Sequence, residues 1–183
     1  FRSWQASLIL PYASNTATGG SLIAPASTIF TTGNQADWAV LPASYSSYQW
    51  NENIWLGLAL NTPFGLGTQN PGGTTGAGGP WRFHGLTSTV MSQNINPNIA
   101  YKFNDMVSIA LGVQVQWFKT RQTQTANGAG FLNELKGSSW GVGFTAGITI
   151  KPMAGTEIGL GYRSAVRNDL KGNLNVFTGA GAL

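Results

Sequence analysis

Several common sequence features are missing from this chain. Its 183 residues contain no cysteine, which excludes a disulfide framework and a thiolate metal site. Charged residues make up 9% of the chain, against roughly 25% in typical soluble domains. No apolar run approaches the roughly 18 residues that a membrane-spanning helix needs. These absences disfavour both an ordinary soluble domain and a helical membrane protein.

Two segments alternate between apolar residues and small or polar ones. From Met106 to Phe118 the chain carries no charge, and its apolar residues fall on one face. A second segment, 139–150, repeats the pattern with glycine and threonine on the other face. A period of two predicts strands. Strands with one apolar and one small or polar face are typical of a transmembrane β-barrel, with lipid outside and a lumen inside. The apolar residues of the first segment are Val107, Ile109, Leu111, Val113, Val115 and Trp117.

The charged residues lie between the apolar segments. A charge on the lipid face near mid-membrane costs roughly 2–4 kcal/mol, which explains their exclusion from the strands. The net charge of +4 is the excess of ten basic over six acidic residues. The basic residues are spread along the chain, so no basic cluster predicts nucleic-acid binding.

Turn residues and alternation together predict an all-β, antiparallel barrel segment of about seven strands, forming one domain over residues 1–183. We expect the strands near 3–12, 36–49, 54–66, 86–103, 106–119, 139–151 and 156–171. Short turns, among them 51–53 and 104–105, alternate with long loops near 13–35, 67–85 and 120–138. The last of these loops includes a predicted helical turn at 131–136. Because barrels have short periplasmic turns and longer extracellular loops, the long loops are expected to be extracellular.

The third strand contains a proline, which central strands normally avoid. Pro63 stands close to Gly65 and Gly67, so the sequence predicts a kink or bulge there.

Patterns associated with enzymes do not fit this organisation. Residues 141–146 match a dinucleotide fingerprint in letters, but that motif needs a helix beginning at its glycines. The single histidine, His84, has no nearby catalytic or metal-binding partner in the sequence. We therefore predict no enzyme, no catalytic residue, no metal site and no cofactor.

Four segments resemble the FadL-type outer-membrane transporters of long-chain fatty acids and aromatic hydrocarbons, in the order of that family. They are 61–68 (NTPFGLGT), 95–105 (INPNIAYKFND), 139–144 (SWGVGF) and 161–172 (GYRSAVRNDLKG). The resemblance covers nearly the whole chain and corresponds to about the first half of the family's barrel. We therefore expect a piece of a larger barrel that lacks the family's N-terminal hatch.

The resemblance implies a bacterial outer-membrane protein, monomeric at full length, that contacts outer-membrane lipid and takes hydrophobic small molecules through its lumen. It implies a lateral exit at the kink, where Pro63, Phe64 and Gly65 match the family. The alternative is a small structural or adhesive barrel of about eight strands without transport.

Alternation suggests which residues face the lumen. Gln114 and Gln116 have that parity, as do Arg163 and Arg167, so all four are candidate ligand or anion contacts. The two arginines either bind an anion or pair with Glu157 and Asp169, and pairing is the favoured interpretation. A basic residue that fatty-acid members carry beyond the fifth strand has no counterpart on the lumen face here, which favours a neutral apolar ligand.

Overall fold

The computed structural model describes residues 1–18, 29–70, 85–126 and 131–178. None of the described residues forms a helix that could cross a membrane. All their regular structure is β-strand. In chain order the strands are β1 Arg2–Ile9, β2 Thr16–Thr18, β3 Ile29–Thr31, β4 Ala39–Gln49, β5 Ile54–Asn61, β6 Gly65–Gln69, β7 Thr87–Lys102, β8 Val107–Ala126, β9 Phe131–Met153, β10 Thr156–Arg163 and β11 Lys171–Thr178.

Nine of these strands form one antiparallel sheet. Its main path runs β1-β4-β5-β7-β8-β9-β10, with β6 paired to β7 and β11 paired to β9. The strands β2 and β3 form a separate pair. The main path contains seven strands in meander order, which confirms the predicted partial antiparallel barrel with open edges.

Asparagine side chains close two of the short turns. The Asn51 side-chain oxygen accepts hydrogen bonds from the backbone N–H groups of Asn53 and Ile54, at 2.9 and 2.8 Å. Asn104 does the same for Met106 and Val107, at 2.9 and 2.8 Å. An asparagine at the start of a turn supplies the acceptor that a tight reversal otherwise lacks. The predicted short turns at 51–53 and 104–105 are therefore confirmed.

The two faces of the sheet differ as the alternation predicts. Gln114 on β8 is fully buried, while its neighbour Leu111 is 56% exposed on the opposite face. Eleven consecutive residue pairs join β8 to β9 between Val107–Ile150 and Trp117–Trp140. That length matches the 9–11 residues with which a tilted strand crosses a membrane.

Strands β8 and β9 continue well beyond this stretch. They stay paired from Phe118–Ser139 to Ala126–Phe131, so residues 120–126 and 131–138 of the predicted loop are strand. The helical turn predicted at 131–136 is wrong, because those residues form ladder hydrogen bonds with β8 on one side and β11 on the other.

The last predicted strand, 156–171, is a continuous strand only in its first half. Strand β10 ends at Arg163 and β11 begins at Lys171, so residues 164–170 leave the ladder. His84 and parts of the predicted loops at 13–35 and 67–85 lie outside the described residues.

Candidate functional site

The third transmembrane strand is interrupted where the sequence places Pro63. Strand β5 ends at Asn61 and β6 begins at Gly65. Asn61 pairs with Asn94 of β7, and Gly65 pairs with Met91. Residues 62–64 of the interrupted strand therefore lie opposite only two residues of β7, 92 and 93. This is a β-bulge, in which the extra residue bends its strand and locally disrupts the ladder.

On the other side of the break, hydrogen bonding to β4 stops. The last β4–β5 pair is Ala43–Asn61, and contact resumes where the Asp37 N–H donates to the Gly67 carbonyl at 2.9 Å. Between these points, residues 38–42 and 62–66 form no backbone ladder with each other. The wall of the barrel therefore has a stretch without backbone pairing beside Pro63.

Side chains fill part of this unpaired stretch. A Cβ added to Gly65 would overlap the Cδ2 atom of Leu41. The Leu41 side chain therefore occupies the space that a side chain at position 65 would need. Phe64 is 52% exposed beside it. The contact shown across this stretch is therefore the apolar packing of Leu41 on Gly65 and not a backbone hydrogen bond.

Buried amides lie beside the break on the lumen-facing side. Asn61 and Asn94 are directly opposed, and Gln116 of β8 is opposite Asn94 on its other flank. Asn94 is 2% exposed, yet neither its amide nitrogen nor its oxygen has a hydrogen-bond partner, and the Asn61 oxygen also has none. Buried polar groups are normally satisfied by protein or by ordered water. These buried amides therefore have unused hydrogen-bonding capacity beside the break.

Residues 164–170 cross over the lumen face of β9. A Cβ at Gly141 would lie 2.5 Å from the carbonyl oxygen of Arg167, and one at Gly143 would lie 2.8 Å from the Ser164 hydroxyl. Ser164 also fixes the segment to the edge of β9, since its hydroxyl accepts from the Phe144 N–H at 2.8 Å. The two glycines therefore make room for this inward segment, which narrows the lumen.

Arg163 stands where this segment begins. Its Nε donates to Oε1 of the buried Gln114, and the Gln114 amide in turn donates to the Phe144 carbonyl at 3.1 Å. The favoured pairing of the arginines with Glu157 and Asp169 is wrong for the described residues, because neither Arg163 nor Arg167 has a carboxylate within 4 Å there. Glu157 pairs instead with Lys151 at 3.2 Å.

The asparagine before Pro97 has a role that sequence reasoning missed. The flanking pairs Ile95–Val115 and Asn98–Gly112 place Pro97 opposite Val113, but proline has no N–H to donate. The Asn96 side chain donates to the Val113 carbonyl at 3.0 Å and to the Thr145 hydroxyl at 3.3 Å. The side-chain amide thus supplies a donor to a carbonyl that the proline leaves without one. The adjacency of the two residues in the sequence was the available signal.

The structure brings the candidate residues together in two groups. Pro63, Phe64 and Gly65 form the break, with Gln116 in the amide row beside it. Gln114 and Arg163 contact each other, and Arg167 lies in the inward segment. Within the described ranges, no group of three or more His, Asp or Glu residues is arranged to hold a metal ion.

An antiparallel, lipid-length sheet with one polar and one apolar face defines part of a transmembrane β-barrel. Comparison with known proteins identifies the family, because the family model for the outer membrane protein transport protein (OMPP1/FadL/TodX) matches residues 10–183. The chain belongs to that family, whose members are outer-membrane transport proteins and not enzymes.

Two relatives are long-chain fatty acid transport proteins. The one from Escherichia coli (strain K12) is 27% identical over 172 residues, which cover 76% of this chain and 37% of the relative. The one from Salmonella typhi is 27% identical over 144 residues, covering 67% and 32%. The chain therefore spans about a third of the length of these relatives.

The fold also matches a solved structure. The crystal structure of a Pseudomonas aeruginosa FadL homologue superimposes with a TM-score of 0.72 at 20% identity, covering 96% of this chain and 45% of that one. This likeness establishes the fold as part of a barrel of that shape.

Proposed function

We propose that this chain belongs to a channel that carries hydrophobic small molecules, long-chain fatty acids or aromatic hydrocarbons, across the bacterial outer membrane. In this proposal the substrate enters the lumen from the extracellular loops and leaves sideways at Pro63, Phe64 and Gly65. The names of the two fatty-acid-transporting relatives support the substrate class. The full-length protein is proposed to act as a monomer in contact with outer-membrane lipid.

The observation that carries the proposal is the unpaired stretch between β4 and the interrupted strand. Unpaired backbone within a membrane is tolerated only where protein or a cavity satisfies it. The Leu41 side chain packs against Gly65 in this stretch. A movement of that side chain would open an apolar path without breaking backbone hydrogen bonds between strands. A hydrophobic molecule can then reach the membrane without crossing the polar headgroup region.

The lumen side offers polar contacts for one end of a substrate. Arg163 is held by the neutral amide of Gln114, so its charge is not cancelled by a carboxylate among the described residues. A guanidinium without a carboxylate partner of its own can form a strong, charge-assisted hydrogen bond with a ligand carboxylate. The unpartnered amides beside Gln116 suit neutral polar groups as well. Arg163, with Arg167 as a second cationic contact, supports fatty acids as substrates. Neutral hydrocarbons are retained because the apolar packing at Leu41 needs no polar end on the substrate.

The test restores regular strand residues at the break. Pro63→Val and Gly65→Val are introduced together in the full-length protein, and uptake of a labelled fatty acid and a labelled aromatic hydrocarbon is measured in cells lacking the native transporter. Transport through the break predicts a large loss of uptake in a barrel that still assembles in the outer membrane. A matched control carries Leu58→Val and Leu60→Val in the paired part of the same strand.

Two results would contradict the proposal. Unchanged uptake by an assembled double variant would place the exit elsewhere. Absence of any uptake by the unmodified full-length protein, compared with cells lacking it, would favour the structural or adhesive barrel.

A further inference from the structure

Basic side chains cluster at the loop end of three adjacent strands. Lys119 and Arg121 lie on β8, Lys136 on β9 and Lys171 on β11. Both Lys119 and Lys171 pair with Ser138, one from each side of β9. Arg121 is directly opposite Lys136. We call these four residues the basic rim.

The basic rim has the alternation of the lipid-facing residues of β8 and β9. Lys119, Lys136 and Lys171 are exposed there, while Thr123 and Glu134, further out on the same face, are buried. Directly opposed residues in antiparallel strands share a face, and so do alternate residues of one strand. Lys119 therefore lies on the same face of the sheet as Trp117. Trp117 pairs with Trp140, which is 67% exposed. Aromatic side chains of this kind mark the membrane–water interface. Two residues further along β8, Lys119 stands about 7 Å beyond that aromatic pair, at the height of lipid headgroups.

The charges of the basic rim are only partly balanced. Glu134 contacts Arg121 at 2.6 Å and Lys136 at 2.7 Å, so one carboxylate serves two cations. In the described part of the chain, Lys119 and Lys171 have no carboxylate within 4 Å, although Asp169 is only two residues from Lys171. Directly opposed like charges such as Arg121 and Lys136 are unfavourable unless an anion stands near them.

The turn end of the same sheet is arranged differently. Lys102 forms an ion pair with Asp105, and Lys151 forms one with Glu157 at 3.2 Å. The lysines there are neutralised by the protein itself. Lys119 and Lys171 therefore differ from Lys102 and Lys151 in having no carboxylate partner. They lie at the loop end, which is the extracellular end by the rule that barrels carry their longer connections outside.

We propose that the basic rim binds the phosphate groups of a phosphorylated glycolipid in the outer leaflet of the membrane. The bound group is a lipid headgroup and not soluble phosphate, because the rim continues the apolar lipid-facing surface of β8 and β9, against which acyl chains lie. Lysine and arginine at headgroup height attract anionic lipids. The bound lipid would hold the long β8–β9 hairpin at the membrane surface.

The experiment measures lipid binding by the full-length protein. Purified protein is reconstituted into phosphatidylcholine vesicles that contain lipid A, dephosphorylated lipid A or no added glycolipid, and bound glycolipid is quantified by native mass spectrometry. The test variant is Lys119→Gln with Lys171→Gln, and the matched control is Lys102→Gln with Lys151→Gln at the turn end. A third variant, Lys119→Arg with Lys171→Arg, keeps the charge.

Lipid A should bind the test variant about thirtyfold more weakly, because each basic residue near an anionic surface contributes about 1 kcal/mol. The turn-end control and the arginine variant should bind as the unmodified protein does, and added inorganic phosphate should compete poorly. Equal binding of lipid A and dephosphorylated lipid A would overturn the proposal. Equal loss in the test and control variants would overturn it too, since the effect would then not belong to the rim.

Discussion

Phe64 and Ser92 form two hydrogen bonds with each other across the break in the third strand. The Ser92 N–H donates to the Phe64 carbonyl at 2.8 Å, and the Phe64 N–H donates to the Ser92 hydroxyl at 3.0 Å. A serine side chain thus replaces a backbone acceptor that the bulge moves out of reach. The break is held in one conformation on its β7 side while it has no backbone partner on its β4 side.

Ser92→Ala should remove this anchor. Ser92 is fully buried, so the Phe64 N–H would be left without its acceptor, at a cost of about 1–3 kcal/mol in folding free energy. Reversible unfolding of the full-length protein in bilayers measures the change. Ser88→Ala on the same strand is the matched control and should cost much less. Equal costs would show that the hydroxyl does not hold the bulge.

Asn94→Leu separates folding from transport. Because neither polar atom of Asn94 has a partner, replacing the amide with an apolar side chain of similar size should leave the free energy of unfolding unchanged or raise it. Uptake should fall if this amide receives the polar end of a substrate. A variant with reduced stability and normal uptake would contradict both halves of the expectation.

Gly141→Val should displace the inward segment. Its side chain would overlap the Arg167 carbonyl and the Val166 side chain, both 2.5 Å from the position of a Cβ at Gly141. Such overpacking typically costs about 1–3 kcal/mol. Gly161→Val is the control, since a Cβ there meets nothing within 4 Å among the described residues. Protease sensitivity near residues 164–170 and the unfolding free energy report the difference, and identical behaviour of the two variants would refute the packing argument.

The β8–β9 hairpin should lose stability in acid. Burial tends to raise the pKa of Glu134, but hydrogen bonds and charges from Lys136 and Arg121 outweigh it and lower that pKa below its ordinary value of 4.5. A carboxyl whose pKa is lowered in the folded state stabilises the fold above its unfolded pKa, and this contribution is lost as pH falls through the folded pKa. Unfolding free energy should therefore fall more steeply below about pH 4.5 in the unmodified protein than in Glu134→Gln.

The matched control for this titration is Glu157→Gln, whose carboxylate forms an exposed pair with Lys151. Exposed pairs contribute little, so this variant should keep most of the pH dependence of the unmodified protein. A pH profile that is unchanged in Glu134→Gln would show that Glu134 does not carry the acid sensitivity.

Much of the fold could be predicted from the sequence because lipid imposes a strict alternation on membrane strands. The segment from Val107 to Trp117 and the turns at Asn51 and Asn104 follow from local pattern alone. The outer halves of β8 and β9 could not be found in this way, since Gln122, Gln124 and Asn133 are polar and the hairpin there is stabilised by pairing on both sides of β9.

The candidate site was predictable only in part. The position of the break could be predicted because Pro63 has no N–H to donate to a neighbouring strand. The loss of pairing to β4 and the packing of Leu41 on Gly65 depend on residues about 20 positions away in the sequence. The bond between Arg163 and Gln114 joins strands that the sequence separates by 49 residues, and alternation predicts a shared face but not a partner.

The exit proposed for substrate is the unpaired stretch beside Pro63. Leu41→Cys with Gly65→Cys would place two thiols across it, because the Leu41 side chain lies against Gly65, in a segment of chain that has no native cysteine. Ser44→Cys with Leu60→Cys would cross-link the adjoining paired region of β4 and β5. Uptake of a labelled fatty acid and a labelled aromatic hydrocarbon is measured in cells before and after reduction. Oxidation of the first pair should abolish uptake and reduction should restore it, while the protein with the second pair should transport normally in both states. Full uptake through a barrel with the Leu41–Gly65 cross-link formed would show that the exit lies elsewhere.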